Sequence, residues 1–388
     1  MEKNRIYLSS PTMNGLEQQY IQEAFDTNWI APLGPNVNEF EKEFVSYLAS
    51  KEPTESFENG LYSTALVSGT AAIHLALKAV GIKKGDVVFC SSLTFAASCN
   101  PIVYEGGVPV FIDSEEDSWN MDPKALRKAF KKYPNAKAVI VVNLYGTPAK
   151  LDEIASICSE HNVVLIEDAA ESLGARYKGI QTGTFGKYGI FSFNGNKIIT
   201  TSGGGMLISD DQSMIDKARF WATQAREIAS HYEHKEIGYN YRMSNVLAGI
   251  GRGQLKSLDE FIERKKKIYY TNKEALKDIE DIRFNPIPED CQPNYWLTCI
   301  TLKDTSKVKP IDILITLENN NIEARPIWKP MHMQPVFADC DFISMVDDPK
   351  GISGKIFECG VCLPSDIKNT DEDMERIIRI VKGFWGSR

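Results

Sequence analysis

The segment Ser192-Phe-Asn-Gly-Asn-Lys197-Ile-Ile-Thr-Thr-Ser-Gly-Gly-Gly205 sets one lysine between a polar, strand-ending stretch and three consecutive glycines. Upstream, Val163-Val-Leu-Ile-Glu167-Asp168-Ala-Ala-Glu171 reads as a buried parallel strand delivering acids at its carboxyl end. A lysine that can become an imine, held opposite an aspartate, is what pyridoxal phosphate chemistry requires. The aspartate keeps the pyridine nitrogen protonated so that the ring accepts electrons, and the lysine bonds the aldehyde carbon. The same two residues also fit a surface lysine and a strand-end aspartate that never meet. The rest of the chain has to decide.

Ser68-Gly69-Thr70-Ala71-Ala72 stands just before an apolar-periodic helix. A helix start with a glycine and two hydroxyls offers free N–H groups and a positive dipole end to an anion, although it also fits an ordinary cap. Thr94-Phe95 follows an apolar strand, where the Phe95 ring could stack on a planar ligand or fill the core. Ser192 could give its hydroxyl to a phosphate, and Glu171 lies three residues past Asp168. Arg325-Pro-Ile-Trp328-Lys329-Pro-Met-His332 combines cations with an aromatic ring, which suits an anionic, ring-containing ligand. Trp328 would equally suit a core position with the cations on a solvated rim. The five histidines show no metal-ligand spacing, and Cys359-Gly-Val-Cys362 is a lone CxxC that reads as incidental thiols; no metal is expected.

These residues need a scaffold. From residue 68 to about 210, apolar runs (Val87–Cys90, Val110–Ile112, Ala138–Asn143, Val163–Ile166, Tyr188–Phe191) alternate with helical patterns at Ala71–Val80, Ala97–Tyr104, Pro123–Phe130 and Lys150–His161. Such alternation predicts an α/β fold with a mostly parallel sheet, helices on both faces and ligands at the strands' carboxyl edge. A long helix is expected from Ser244 to about Ala275, a half-buried strand over Tyr295–Thr301, and helices over Ile311–Asn319 and Asp371–Trp385. The chain divides into a large domain over 1–254 and a smaller α+β domain over 255–388. With 388 residues there is room for two domains. A net charge of −8 argues against a nucleic-acid partner. No apolar run reaches membrane-span length, and the opening residues lack the apolar core of a secretion signal, so a cytoplasmic protein is expected.

At this point the residues carry a resemblance that covers nearly the whole chain. Trp29-Ile-Ala-Pro-Leu-Gly34, Ser68 to Ala76, Glu167 to Glu171, Ser192 to Gly205, Gly238-Tyr-Asn-Tyr-Arg-Met-Ser-Asn245 and Arg325 to His332 resemble, in order and spacing, the DegT-type pyridoxal phosphate-dependent sugar aminotransferases. The resemblance implies the aspartate-aminotransferase-like fold type I, with a seven-stranded type of sheet. It implies that Lys197 bonds the cofactor, Asp168 pairs with the pyridinium, Phe95 stacks on the ring and Glu171 approaches the ring hydroxyl. Gly69, Thr70 and Ser192 would hold the phosphate, joined by Asn240 of the neighbouring subunit in a homodimer with shared sites. Asn28, Trp29 and Ala31, with Arg325 and His332, would face a nucleotide sugar.

Within that family, Gln224-Ala-Arg-Glu227, His231-Tyr-Glu-His234, the Lys197 segment and Glu171 most resemble the bacillosamine-pathway enzymes. The implied reaction moves the amino group of L-glutamate to C4 of a UDP-linked 4-keto-6-deoxy-N-acetylhexosamine. Its products are UDP-4-amino-4,6-dideoxy-N-acetylglucosamine and 2-oxoglutarate. Another nucleotide keto-sugar, whether 3-keto or 4-keto giving the axial amine, and a regulator without turnover are the alternatives. A dehydratase of the family would replace the lysine with histidine, which Lys197 argues against.

Overall fold

Seven strands from the first 210 residues form the body of the molecule, and their placement follows from burial on both faces. The computed structural model describes residues 4–49 and 60–386; residues 1–3, where the segment read for a secretion signal starts, lie outside them. The large sheet runs in the order Tyr62–Leu66, Gly205–Ser209, Tyr188–Ser192, Val164–Asp168, Ala138–Val142, Val87–Ser91, Val108–Ile112. An eighth short strand, Phe342–Ile343, pairs parallel to the last of these and comes from late in the chain. Only Gly205–Ser209 runs against the rest, pairing antiparallel with both Tyr62–Leu66 and Tyr188–Ser192. Five expected strands appear within two residues of their predicted positions. Val139, Ile140, Val141 and Ile166 are fully buried, as a sheet covered on both faces requires.

Helix Gly69–Val80 covers one face with Leu75, Ala76 and Leu77, packed with Ile140, Ile166 and Ile190. Helices Pro123–Lys132 and Leu151–Glu160 cover the other with Leu126, Phe130, Ile154 and Ile157. Both faces are therefore dry, and the strands' carboxyl ends are left as the open edge.

The continuous helix expected from Ser244 to Ala275 is two helices, Asn245–Leu255 and Leu258–Leu276. Between them Ser257 leaves helical geometry (φ −104°, ψ 3°), and its hydroxyl accepts a 2.8 Å bond from Asn14 Nδ2. An N-terminal residue thus stabilises a break that local periodicity does not reveal. The expected helix over Ala97–Tyr104 is likewise split, into a short turn at Ala96–Ser98 and a helix at Asn100–Tyr104, with Pro101 in the second helix's first turn.

After the long helix a second sheet forms in the order Ile282–Phe284, Thr298–Leu302, Gly360–Leu363, Arg325–Pro326, all antiparallel. Ile300, Leu302, Val361 and Leu363 pack there with Ile313 and Leu317 of helix Pro310–Asn319 and Ile377 and Val381 of helix Asp371–Lys382. Among the described residues no helix is long and apolar enough to cross a membrane.

Candidate active site

A cleft of about 410 Å³ opens at the carboxyl edge of the large sheet, and four chain segments supply its floor. Asp168 ends the strand Val164–Asp168. Side chains alternate along a strand, so Glu167 and Asp168 face opposite sides. Glu167 turns from the cleft and accepts from Asn143 Nδ2 at 2.8 Å and the Phe185 N–H at 3.0 Å. Asp168 lines the cleft, 4% exposed. Its Oδ2 accepts the Ser98 hydroxyl at 2.7 Å and its Oδ1 the Ala170 N–H at 3.1 Å. Burial raises the Asp168 pKa, while Ser98, the Ala170 N–H and Lys197 oppose that rise.

Lys197 stands on the loop joining the adjacent strands Tyr188–Ser192 and Gly205–Ser209, with 12% of its side chain exposed. Its Nζ lies 3.9 Å from Glu171 Oε1 and 4.2 Å from the centre of the Trp296 ring. Burial lowers the Lys197 pKa, and Glu171 and Asp168 partly restore it. Burial also pushes the Glu171 carboxyl up to about 7 against the pull of Lys197 and the Tyr145 N–H. An amine less basic than an ordinary lysine is easier to use as a nucleophile or a proton acceptor at neutral pH.

The anion end of the cleft is built by close approach. Ser68 caps helix Gly69–Val80 by accepting the Ala71 N–H on its hydroxyl at 3.0 Å. The N–H groups of the first turn have no intrahelical partner, and Gly69 and Thr70 line the cleft beside Ser192. A Cβ on Gly69 would sit 3.2 Å from Ser192 Cβ, and one on Gly205 would fall 2.5 Å from the Gly69 nitrogen. Bare backbone at both positions lets strand and helix end converge, which fits a phosphate. Above it, Phe95 is 58% exposed, with its ring centre 5.6 Å from that of Trp328. An exposed flat ring here suits an aromatic ligand. Lysine, acid, anion cradle and ring together fit pyridoxal phosphate.

The cleft thus gathers Gly69, Thr70, Phe95, Asp168, Glu171, Ser192 and Lys197. Asn28, Trp29, Ala31, Asn240, Arg325, Lys329 and His332 are not among its lining residues. Trp29 is half exposed and donates its indole N–H to the Leu33 carbonyl. Arg325 pairs with Glu323 at 2.7 Å, and Asn240 is exposed beside Thr223. His332 Nδ1 meets the Ser92 hydroxyl at 2.6 Å and its ring stacks on Phe342.

Four residues of the site carry no local signal. Ser98 reaches Asp168 from a short turn, and Trp296 arrives from the second half of the chain. Tyr145 adopts φ +52°, donating its N–H to Glu171 Oε2 at 2.6 Å and accepting the Trp328 N–H on its hydroxyl at 3.0 Å. Asn294, fully buried, accepts the Trp296 N–H and donates to the Glu171 and Leu173 carbonyls.

Comparison with known proteins agrees with this geometry. The profile of the DegT/DnrJ/EryC1/StrS aminotransferase family matches residues 11–382. EpsN of Bacillus subtilis (strain 168), named for a pyridoxal phosphate-dependent aminotransferase, is 52% identical over 381 residues, 97% of this chain and 95% of its own. GDP-perosamine synthase of Escherichia coli O157:H7 is 34% identical over 334 residues, 86% and 87% of the two chains. The crystal structure of the aminotransferase TlmJ from Streptoalloteichus hindustanus superposes with a TM-score of 0.86 at 26% identity, covering 98% of each chain. The protein is a pyridoxal phosphate-dependent sugar aminotransferase and belongs to the DegT/DnrJ/EryC1/StrS family.

Proposed function

We propose that the protein transfers the amino group of L-glutamate to C4 of a UDP-linked 4-keto-6-deoxy-N-acetylhexosamine, forming UDP-4-amino-4,6-dideoxy-N-acetylglucosamine and 2-oxoglutarate. The observation that carries the chemistry is Lys197 Nζ, buried 3.9 Å from Glu171 in the cleft that Asp168 also lines. The sugar assignment draws on the Asp-Ala-Ala-Glu171 segment and on the Gln224–Glu227 and His231–His234 segments.

When bound, pyridoxal phosphate supplies an electrophilic aldehyde and an electron sink. Lys197 would hold that aldehyde through its Nζ. As a neutral amine its Nζ then takes the proton from the glutamate α-carbon, and later reverses the transfer toward the sugar. Asp168, its charge supported by Ser98 and the Ala170 N–H, holds the proton on the pyridine nitrogen. Glu171 holds or releases a proton beside the ring hydroxyl. The first-turn N–H groups at Gly69 and Thr70, with the Ser192 hydroxyl, bind the phosphate, and Phe95 orients the ring. Asn240 of a second copy completes the phosphate site, so the working unit is a homodimer with shared sites. Asn28, Trp29 and Ala31, with Arg325, Lys329 and His332, contact the nucleotide sugar. In this reading residues 1–254 form the cofactor-binding part and 255–388 the smaller part.

A GDP-linked 4-keto sugar is the second reading, favoured by the likeness to GDP-perosamine synthase. The deciding experiment incubates the enzyme with glutamate and a panel of UDP-, GDP- and dTDP-linked 3- and 4-keto sugars, with products read by mass spectrometry and NMR. Preference for the UDP-linked N-acetyl 4-keto sugar, with the equatorial amine, is the expected result. Preference for another nucleotide or another position overturns it.

A further inference from the structure

The helix Leu258–Leu276 buries a lysine that the transfer reaction leaves without a role. Lys265 is 3% exposed, and its Nζ donates to the Ser9 hydroxyl at 3.0 Å, the Trp296 carbonyl at 3.1 Å and the Ser365 carbonyl at 2.7 Å. None of these partners is charged, although lysines are almost never fully buried unless paired. Asp366 is the carboxylate that acts on it at longer range, and its own oxygen accepts the Ser10 N–H at 2.9 Å.

Two paths lead from this ammonium to Lys197. Ser9 passes its own hydroxyl hydrogen to the Asn196 carbonyl at 3.1 Å, and the same oxygen accepts the Trp296 indole N–H at 2.7 Å. Asn196 directly precedes Lys197, and the Trp296 ring lies 4.2 Å from Lys197 Nζ. Lys265 and Lys197 also line one narrow crevice. The backbone behind Lys197 and the ring beside it are thus both tied to Lys265.

A protonated amine has three hydrogens for these three acceptors, whereas a neutral amine has two and a lone pair. Of the three partners only the Ser9 hydroxyl can turn round and donate. Doing so withdraws its hydrogen from the Asn196 carbonyl. We propose that Lys265 is a positioning residue for Lys197, acting through Ser9 and Trp296 to fix the Asn196–Lys197 peptide against the cofactor site. The inference rests on the reading of Lys197 as the cofactor-bonding lysine. Burial lowers the Lys265 pKa to about 7 against the opposing pull of Asp366, and Lys197 lines the same crevice. The clamp therefore changes its proton count near neutral pH.

The test uses the cofactor-loaded enzyme with Ser9→Ala, Lys265→Met and the double variant. Two quantities are read: the pH midpoint of the absorbance of cofactor bonded to Lys197, and kcat and KM for glutamate. Both single variants are expected to move the midpoint the same way and to lower kcat roughly 10- to 100-fold, the scale of a misplacement of about 1 Å, with a smaller change in KM. The double variant should be no worse than Lys265→Met, because Ser9 acts on the same path. If Lys265→Met does not fold, Ser9→Ala alone still decides. A wild-type midpoint and kcat in Ser9→Ala, or fully additive effects, overturns the proposal. Lysine-linked absorbance surviving in Lys197→Ala would instead sink the underlying assignment of Lys197.

Discussion

Replacing Glu171 by glutamine removes one charge from the lysine side of the cleft while keeping the side chain's shape. Glutamine's oxygen can still accept the Tyr145 N–H, which the native carboxylate takes at 2.6 Å. What disappears is the attraction between Glu171 Oε1 and Lys197 Nζ, 3.9 Å apart. Two unit charges near that separation, at an effective dielectric of about 20, interact by about 4 kcal/mol. That interaction favours the ammonium over the neutral amine of Lys197. Glu171 is itself raised to about 7, so it is only partly ionised near neutrality, and Asp168 remains to hold the ammonium. The Lys197 midpoint is therefore expected to fall, by less than that full interaction would give. The assay strips the cofactor and follows recapture of pyridoxal phosphate by absorbance from neutral to alkaline pH. The neutral amine is the form that reacts, so capture rises with pH to a plateau. In Glu171→Gln the rise comes at lower pH. An unchanged midpoint, with cofactor bound at the same stoichiometry, would refute the claim that Glu171 sets the charge of Lys197.

Lys197→Ala should lose at least the ~10²–10⁴-fold of general acid–base catalysis, read as turnover with glutamate; near-native turnover would remove Lys197 from its role. Asp168→Asn should fold, with an unchanged circular dichroism spectrum, yet lose most of its activity because an amide cannot hold a full charge on the pyridine nitrogen. Turnover within a few-fold of the parent would place the electron sink elsewhere. Asn240→Ala should weaken cofactor retention by about 10- to 100-fold, the worth of one hydrogen bond to a charged group. Mixing Asn240→Ala with Lys197→Ala subunits should restore activity, because some mixed dimers then hold one site free of both lesions. No recovery despite demonstrated subunit exchange would mean that each subunit builds its site alone.

The parts of the site readable in the sequence are those whose position depends on one element. Asp168 is legible because it ends an apolar strand, Lys197 because it precedes a glycine run, and Gly69 because it opens a helix. The flanking strands Tyr62–Leu66 and Gly205–Ser209 carry a weaker signal; one mixes polar with apolar residues and the other begins in glycine, so neither shows a clean apolar run. Ser98, Tyr145 and Trp296 carry no local signal for a different reason. Each acts through a contact made only when distant segments meet, as when Asn294 ties Trp296 to the Glu171 carbonyl. The break at Ser257 belongs to the same class, since Asn14 supports it from the other end of the chain.

The single reversed strand has a consequence for how the enzyme comes into being. Leu66 aligns with Gly205, and Gly205 touches the very start of the helix that opens at Gly69. During synthesis the helix emerges early, but the strand that seats its end emerges only after the lysine loop. The convergence of Gly69, Ser192 and Gly205 thus awaits the strand Gly205–Ser209, and Trp296 of the cleft wall comes later still. Pairings of such long sequence separation are the slow steps of folding. The cleft that gathers Gly69, Ser192 and Lys197 is therefore assembled by contacts between early and late parts of the chain.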